Sequence, residues 1–147
     1  MILAYCAVIA LIVVVGTAIL HYETIRRMDR FARHAAQAYP AFVVVIAGLI
    51  ALHLVEIGAY AGIFALSVGP FALGSFHGLP PRSPMAFFYY AAEAYASLGY
   101  GDVYPTGDLR LVTSIAPLNG ILLLTWSGSF LFSLVEDWRS RENHCEG

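Results

Sequence analysis

Residues 2–20 and residues 111–135 each run without one charged side chain, and a third apolar run, 41–68, is broken only by His53 and Glu56. A membrane-crossing helix needs about 20 mostly apolar residues at about 1.5 Å rise each. Three such runs in a chain of 147 residues leave room for little outside a bilayer. Composition agrees: 59% of the residues are hydrophobic and 12% are charged, against about 25% charged in a soluble domain. That apolar content excludes disorder, and a net charge of −2 with no lysine excludes a nucleic-acid surface. Cys6 in an apolar run and Cys145 in the polar tail do not make a disulfide framework. Run 2–20 has no basic leader and is longer than the roughly 7–15 apolar residues of a signal peptide, so it reads as a retained helix. Run 41–68 exceeds the bilayer core and is expected to tilt or protrude before Gly69-Pro70 ends it.

Between the second and third runs lies an element too short to cross. Residues 69–81 are a loop by their glycine and proline content. Ser83 followed by Pro84 then reads as a helix N-cap with proline at the first helical position. A helix over 84–96 would be about 20 Å long. The string Ser97-Leu98-Gly99-Tyr100-Gly101-Asp102 follows at once and is irregular. Non-helical backbone at membrane depth is tolerated only where protein buries it or where it lines a watery path. The pattern is therefore a re-entrant loop, and the fold class is an all-α integral membrane protein with three transmembrane helices, a re-entrant helix and a filter-like loop.

The string carries the chemistry. Backbone carbonyls can replace the hydration shell of a cation when successive C=O groups point to one axis. That demands alternating backbone conformations, which Gly99 and Gly101 supply at alternate positions because they lack a Cβ. Ser97 adds a hydroxyl oxygen at the inner end, and Tyr100 can pack behind the string as a spacer. A glycine-rich turn capping a buried helix would account for the glycines but not for the membrane context.

On these residues the chain resembles the pore domain of potassium channels, whose filter reads Thr-Val-Gly-Tyr-Gly-Asp. The match takes in Gly99-Tyr100-Gly101-Asp102 and extends through Tyr104 and Pro105; Ser97 stands for threonine and Leu98 for valine. The resemblance covers outer helix 41–68, pore helix 84–96, filter 97–102 and inner helix 111–135. It divides the chain into an N-terminal helix with its basic loop (1–34), a pore domain (35–138) and a short tail (139–147). It implies a potassium-selective channel subunit working as a homotetramer, with K+ as the permeant ion bound at Ser97, Leu98, Gly99, Tyr100 and Gly101. No other cofactor is expected; membrane lipid and other copies of the chain are the expected partners. It also implies that Glu93, four residues before Ser97, shares a proton with Asp102 after the filter. A solvated Glu93 is the alternative. On the inner helix, Gly120 corresponds to the flexible glycine of potassium channels.

His53 and Glu56 are three apart and share one helix face. Intramembrane ionisable groups are functional candidates, here a proton sensor or ion site, but a hydrogen-bonded pair locking the outer helix to the pore or inner helix is favoured. One histidine and one carboxylate are too few for a metal. Gly58 and Gly62 form a small-residue face suited to close packing. Pro117 should bend the third span, Asn119 must find a polar partner on the pore helix or a neighbouring subunit, and Leu124, Gly128, Leu131, Phe132 and Val135 include pore-facing positions. Phe130 could equally face lipid, and Trp138 reads as an interface anchor. Arg26, Arg27, Arg30, Arg33, Arg139 and Arg141 flank one side of the spans, against Arg82 and Arg110 on the other. The positive-inside rule then places the N-terminus and the re-entrant loop outside a cell membrane and the C-terminus in the cytoplasm. No set of residues suggests an enzyme. The rival readings are a nonselective cation channel and a non-conducting membrane regulator with the same fold.

Overall fold

The structure is a computed structural model that describes residues 2–35, 37–78 and 83–145, with backbone only for 2–4 and 142–145. Arg82, part of the 69–81 loop and the last two residues of the tail lie outside the described residues. Helix α1 spans Ile2–His34, α2 Ala38–Val68, α3 Pro84–Tyr95, α4 Leu109–Thr113 and α5 Ile115–Cys145. Three stretches are long and apolar enough to cross a membrane: Tyr5–His34, Ala38–Val68 and Leu109–Arg141. The chain is thus a mostly helical, multi-pass membrane protein.

The outer two spans run well past their expected ends. Apolar content in α1 stops at Leu20, yet the helix continues to His34. Nothing in the Arg-rich stretch breaks it: there is no glycine or proline, and Arg33 bonds Asp29 one turn back at 2.8 Å. Likewise α5 continues through Glu136 and Asp137 to Cys145, so the tail expected after 138 is helical in its described part. Hydropathy marks where a bilayer ends, whereas helix propensity marks where a helix ends, and in both elements the second outlasts the first. The two extensions meet. Arg33 pairs with Asp137 at 3.2 Å, and Arg141 donates to the Arg33 carbonyl. Both basic segments therefore sit at the same end of the molecule.

Helix α1 does not stand apart from the other helices. Its Cys6 and Val13 join Tyr60, Phe64, Phe87, Tyr95 and Leu123 in one core. A second core near the basic end gathers Ile25, Ala32, Val45, Leu49 and Leu134, with Phe130 and Trp138 packed against it. Phe130 thus has protein contacts, and Trp138 lies edge-on to Phe42. Only 28–33% of the best apolar window in each span is buried within one chain, so the remaining apolar surface faces lipid or other protein. A Cβ added at Gly58 or Gly62 would meet no atom within 4 Å among the described residues, so this small-residue face is open within the chain.

The short elements hold the ends of the re-entrant segment. Two-residue strands β1 (Phe76–His77) and β2 (Tyr104–Pro105) pair antiparallel. Ser75 and Thr106 exchange side-chain and backbone bonds beside them. The loop after α2 is thereby clamped to the chain leaving the filter-like string.

Candidate functional site

Helix α3 begins as the sequence predicts, with Ser83 in extended conformation at the N-cap and Pro84 at the first helical position. The Ser83 side chain makes no capping bond. Its other end is more telling. Ser97 N–H donates to the Ala94 carbonyl and Leu98 N–H to the Glu93 carbonyl, while Ser97 itself has φ +57°. This paired closure, with a left-handed residue just past the C-cap, is a Schellman motif, where glycine is the usual occupant. Serine there costs about 1–2 kcal/mol, so the surrounding bonds must hold it.

From that point the backbone alternates. Ser97, Gly99 and Gly101 have φ of +57°, +59° and +81°, whereas Leu98 and Tyr100 lie outside the left-handed region. Alternation of this kind turns successive peptide planes in a regular way, as the glycine spacing demands. The string is open to the outside on a single chain: Leu98 is 56% and Tyr100 66% exposed. The Tyr100 ring lies alongside Tyr89 of α3, with centroids 6.4 Å apart.

Glu93 and Asp102 do not share a hydrogen bond. Glu93 is buried, and its Oε1 accepts the Gly101 N–H at 3.2 Å. Its Oε2 has no partner among the described residues. Asp102 instead accepts the Tyr89 hydroxyl at 3.0 Å. In place of the expected contact between the two carboxyls there are two separate tethers to α3, one from the Gly101 N–H to Glu93 and one from Tyr89 to Asp102.

The His53–Glu56 pair is present, within a larger cluster than the sequence suggested. Glu56 is fully buried and accepts from three elements. His53 Nδ1 lies 3.0 Å from Oε2, the Tyr95 hydroxyl at the end of α3 donates to Oε2, and His21 Nδ1 of α1 lies 2.8 Å from Oε1. Ser127 Oγ of α5 then sits 3.1 Å from His53 Nε2 and 3.3 Å from His21 Nε2. One turn away, Asn119 donates to Thr17 Oγ1 of α1 and Tyr60 Oη of α2, both at 2.8 Å. Asn119 thus finds partners on α1 and α2 of its own chain, where the pore helix or a neighbouring subunit was expected. His53 and Glu56 have hydrogen-bond partners on α3 and α5, as a locking pair requires, and on α1 as well. His21 is the residue that sequence reasoning missed. With it, the count of two candidate metal ligands becomes three: His21, His53 and Glu56 offer ligand atoms within 4.8 Å of one another.

The third span breaks where Pro117 requires. Pro117 has no N–H to give to Thr113, and the helix is interrupted at Ser114 between α4 and α5. Gly120 lies inside the unbroken part of α5, and its missing side chain is used for contact: a Cβ there would come within 2.0 Å of the Tyr95 carbonyl oxygen. The inner helix therefore rests directly on the last residue of α3. Below it, Leu124, Gly128, Phe132 and Val135 are exposed along one face, while Leu131 turns partly into the second core.

A short helix that ends in a left-handed cap, an alternating glycine string tethered behind it and an inner helix pressed against it together describe a re-entrant membrane pore element. A family model described as ion channel matches residues 41–137, and the chain belongs to that ion-channel family. The match begins after α1. Neither the curated proteins nor the solved structures give a match.

Proposed function

We propose that the chain is the subunit of a potassium-selective channel, assembled as a homotetramer in a cell membrane. Residues Ser97 to Gly101 would supply the carbonyl and hydroxyl oxygens that bind K+, with Glu93 and Asp102 supporting them from behind. The observation that carries this reading is the alternation of positive φ at Ser97, Gly99 and Gly101 on a string left exposed by one chain. One string offers one side of an ion's coordination shell, and a closed ring of four would complete it. Glu93, Ser97, Gly99, Gly101 and Pro117 line a cleft of about 390 Å³ on the chain's flank, which a neighbouring copy can occupy. The basic ends of α1 and α5 face the cytoplasm and the loop carrying the string faces outside, by the positive-inside rule. The exposed face of Leu124, Gly128, Phe132 and Val135 lines the path below the filter, with the break at Ser114–Pro117 setting its angle.

Flux from liposomes tests the reading directly. Potassium release at a rate far above that of sodium, from a particle whose native mass is four chains, is the expected result. Equal sodium and potassium flux would make it a nonselective channel, and no flux from well-folded protein would make it a regulator. A dimer or trimer as the sole species would remove the tetrameric ring.

A further inference from the structure

The cluster at mid-span holds more hydrogen-bond acceptors than protons to fill them. With both histidines neutral and Glu56 ionised, His21 and His53 must each carry the proton on Nδ1 to donate to Glu56. Both Nε2 atoms are then acceptors, and both face the same hydroxyl, Ser127 Oγ, at 3.3 and 3.1 Å. Ser127 has one proton to give, so one Nε2 is left against an oxygen lone pair. In that state Glu56 also brings an uncompensated negative charge to the middle of α2, with Glu56 and His21 fully buried and His53 nearly so. A carboxylate at that depth is expensive.

We propose that the cluster is a structural binding site for a divalent transition metal of the zinc class, held by His21 and His53 through Nδ1 and by Glu56. A metal on the Nδ1 side moves each imidazole proton to Nε2. Ser127 Oγ then accepts both N–H groups with its two lone pairs, and the deficit disappears. An outer hydrogen bond of this kind is what fixes the tautomer of a metal-bound histidine. The spacing suits the ion. Tetrahedral zinc with bonds of about 2.0–2.2 Å separates its ligands by about 3.3 Å. His21 Nδ1 and His53 Nδ1 lie 2.8 and 3.0 Å from the two oxygens of Glu56, Oε1 and Oε2. The ligand atoms of the three residues fall within 4.8 Å of one another, so a modest side-chain shift gathers them on one ion. The Tyr95 hydroxyl, 3.0 Å from His53 Nδ1, is the fourth ligand in reach. If its proton is released on binding, a divalent ion with one carboxylate and one phenolate is neutral overall, as the bilayer interior favours. The ion would bind α1 to α2 and to the end of α3, giving the helix outside the ion-channel match a defined task. This inference is independent of which ion, if any, the chain conducts.

The full chain is expressed with zinc supplementation, purified in detergent, passed through a metal-free gel-filtration column and analysed for metal content. One zinc per chain is expected, with a loss of about tenfold or more in His21→Gln, which keeps a donor for Glu56. Expression with cobalt should give the visible absorption of four-coordinate Co2+. Folded wild-type protein with under about a tenth of a zinc per chain overturns the proposal and leaves a protonated histidine to close the deficit. Zinc that persists unchanged in both His21→Gln and His53→Gln is bound elsewhere and overturns it equally. Should the variants fail to fold, wild-type metal content and the cobalt spectrum decide the matter alone.

Discussion

The filter string and the mid-span cluster lie one helix end apart and are built on opposite plans. The string is shaped by backbone: a Schellman closure, three left-handed residues and a Glu93 tether to a peptide N–H, with its side chains largely exposed. The cluster is shaped by side chains: residues of α1, α2, α3 and α5 converge on Glu56 and Ser127, out of contact with solvent. Tyr95 belongs to both, since its hydroxyl enters the cluster and its peptide group starts the turn into the string. The string is left open for copies of itself, whereas the cluster is closed within one chain. Changes to side chains should therefore act on stability at one region, and changes to backbone freedom should act on permeation at the other.

The largest effect expected is on flux. Gly99→Ala places a Cβ in open space, so no collision threatens the fold. At φ +59°, however, alanine resists the conformation by about 1–2 kcal/mol, repeated in every subunit. Liposome flux should fall below detection while the thermal midpoint drops by only a few degrees. Unchanged flux would place the conduction path elsewhere and end the contrast between the regions.

Next in size is Glu56→Leu, which orphans the His21, His53 and Tyr95 groups together. Removing one side of a buried polar network costs about 3–5 kcal/mol, so a large fall in the thermal midpoint is expected. Glu56→Gln keeps an acceptor and should fold and conduct with selectivity close to wild type. A Glu56→Gln protein that stays assembled but loses selectivity would show that the cluster acts on permeation as well.

Gly120→Ala sharpens the boundary between the two regions. Its Cβ would meet the Tyr95 carbonyl oxygen, and relieving the overlap costs about 1–3 kcal/mol. Both the melting midpoint and the flux should fall, because α5 is pushed off the start of the string. The smallest effect is a gain. Ser97→Gly relieves the left-handed serine and should stabilise the fold by up to about 1 kcal/mol in denaturant titration. A loss of stability there would mean that the serine hydroxyl contributes more than its backbone strain costs.

The backbone of the string was legible because its constraint is conformational and only glycine meets it cheaply at positions 99 and 101. The i, i+3 spacing of His53 and Glu56 made that pair legible for a similar reason. His21 was not, although it carries the same chemistry. It follows Leu20 at the edge of an apolar run, so hydropathy places it at a membrane boundary, whereas the continuing helix places it in the middle of α1. Tyr95 and Ser127 gave no signal at all: an aromatic and a hydroxyl in apolar stretches look like packing until a carboxylate is found between them. Glu93 and Asp102 show the converse limit. Two carboxyls that flank one string look like a pair in sequence, but Tyr89 and the Gly101 N–H reach them first.

The contact between Gly120 and the Tyr95 carbonyl joins two backbones with no side chain between them. Side chains are compliant: a rotamer change absorbs small displacements before they travel further. At this point there is nothing to bend. A tilt of the long arm of α5, which reaches from position 120 past Arg141, would pivot about this rigid point and carry the Tyr95 peptide with it. The arm and the end of α3 would then act as two ends of one lever with its fulcrum at Gly120, and Arg33, clamped to Asp137, marks where α1 would push on it.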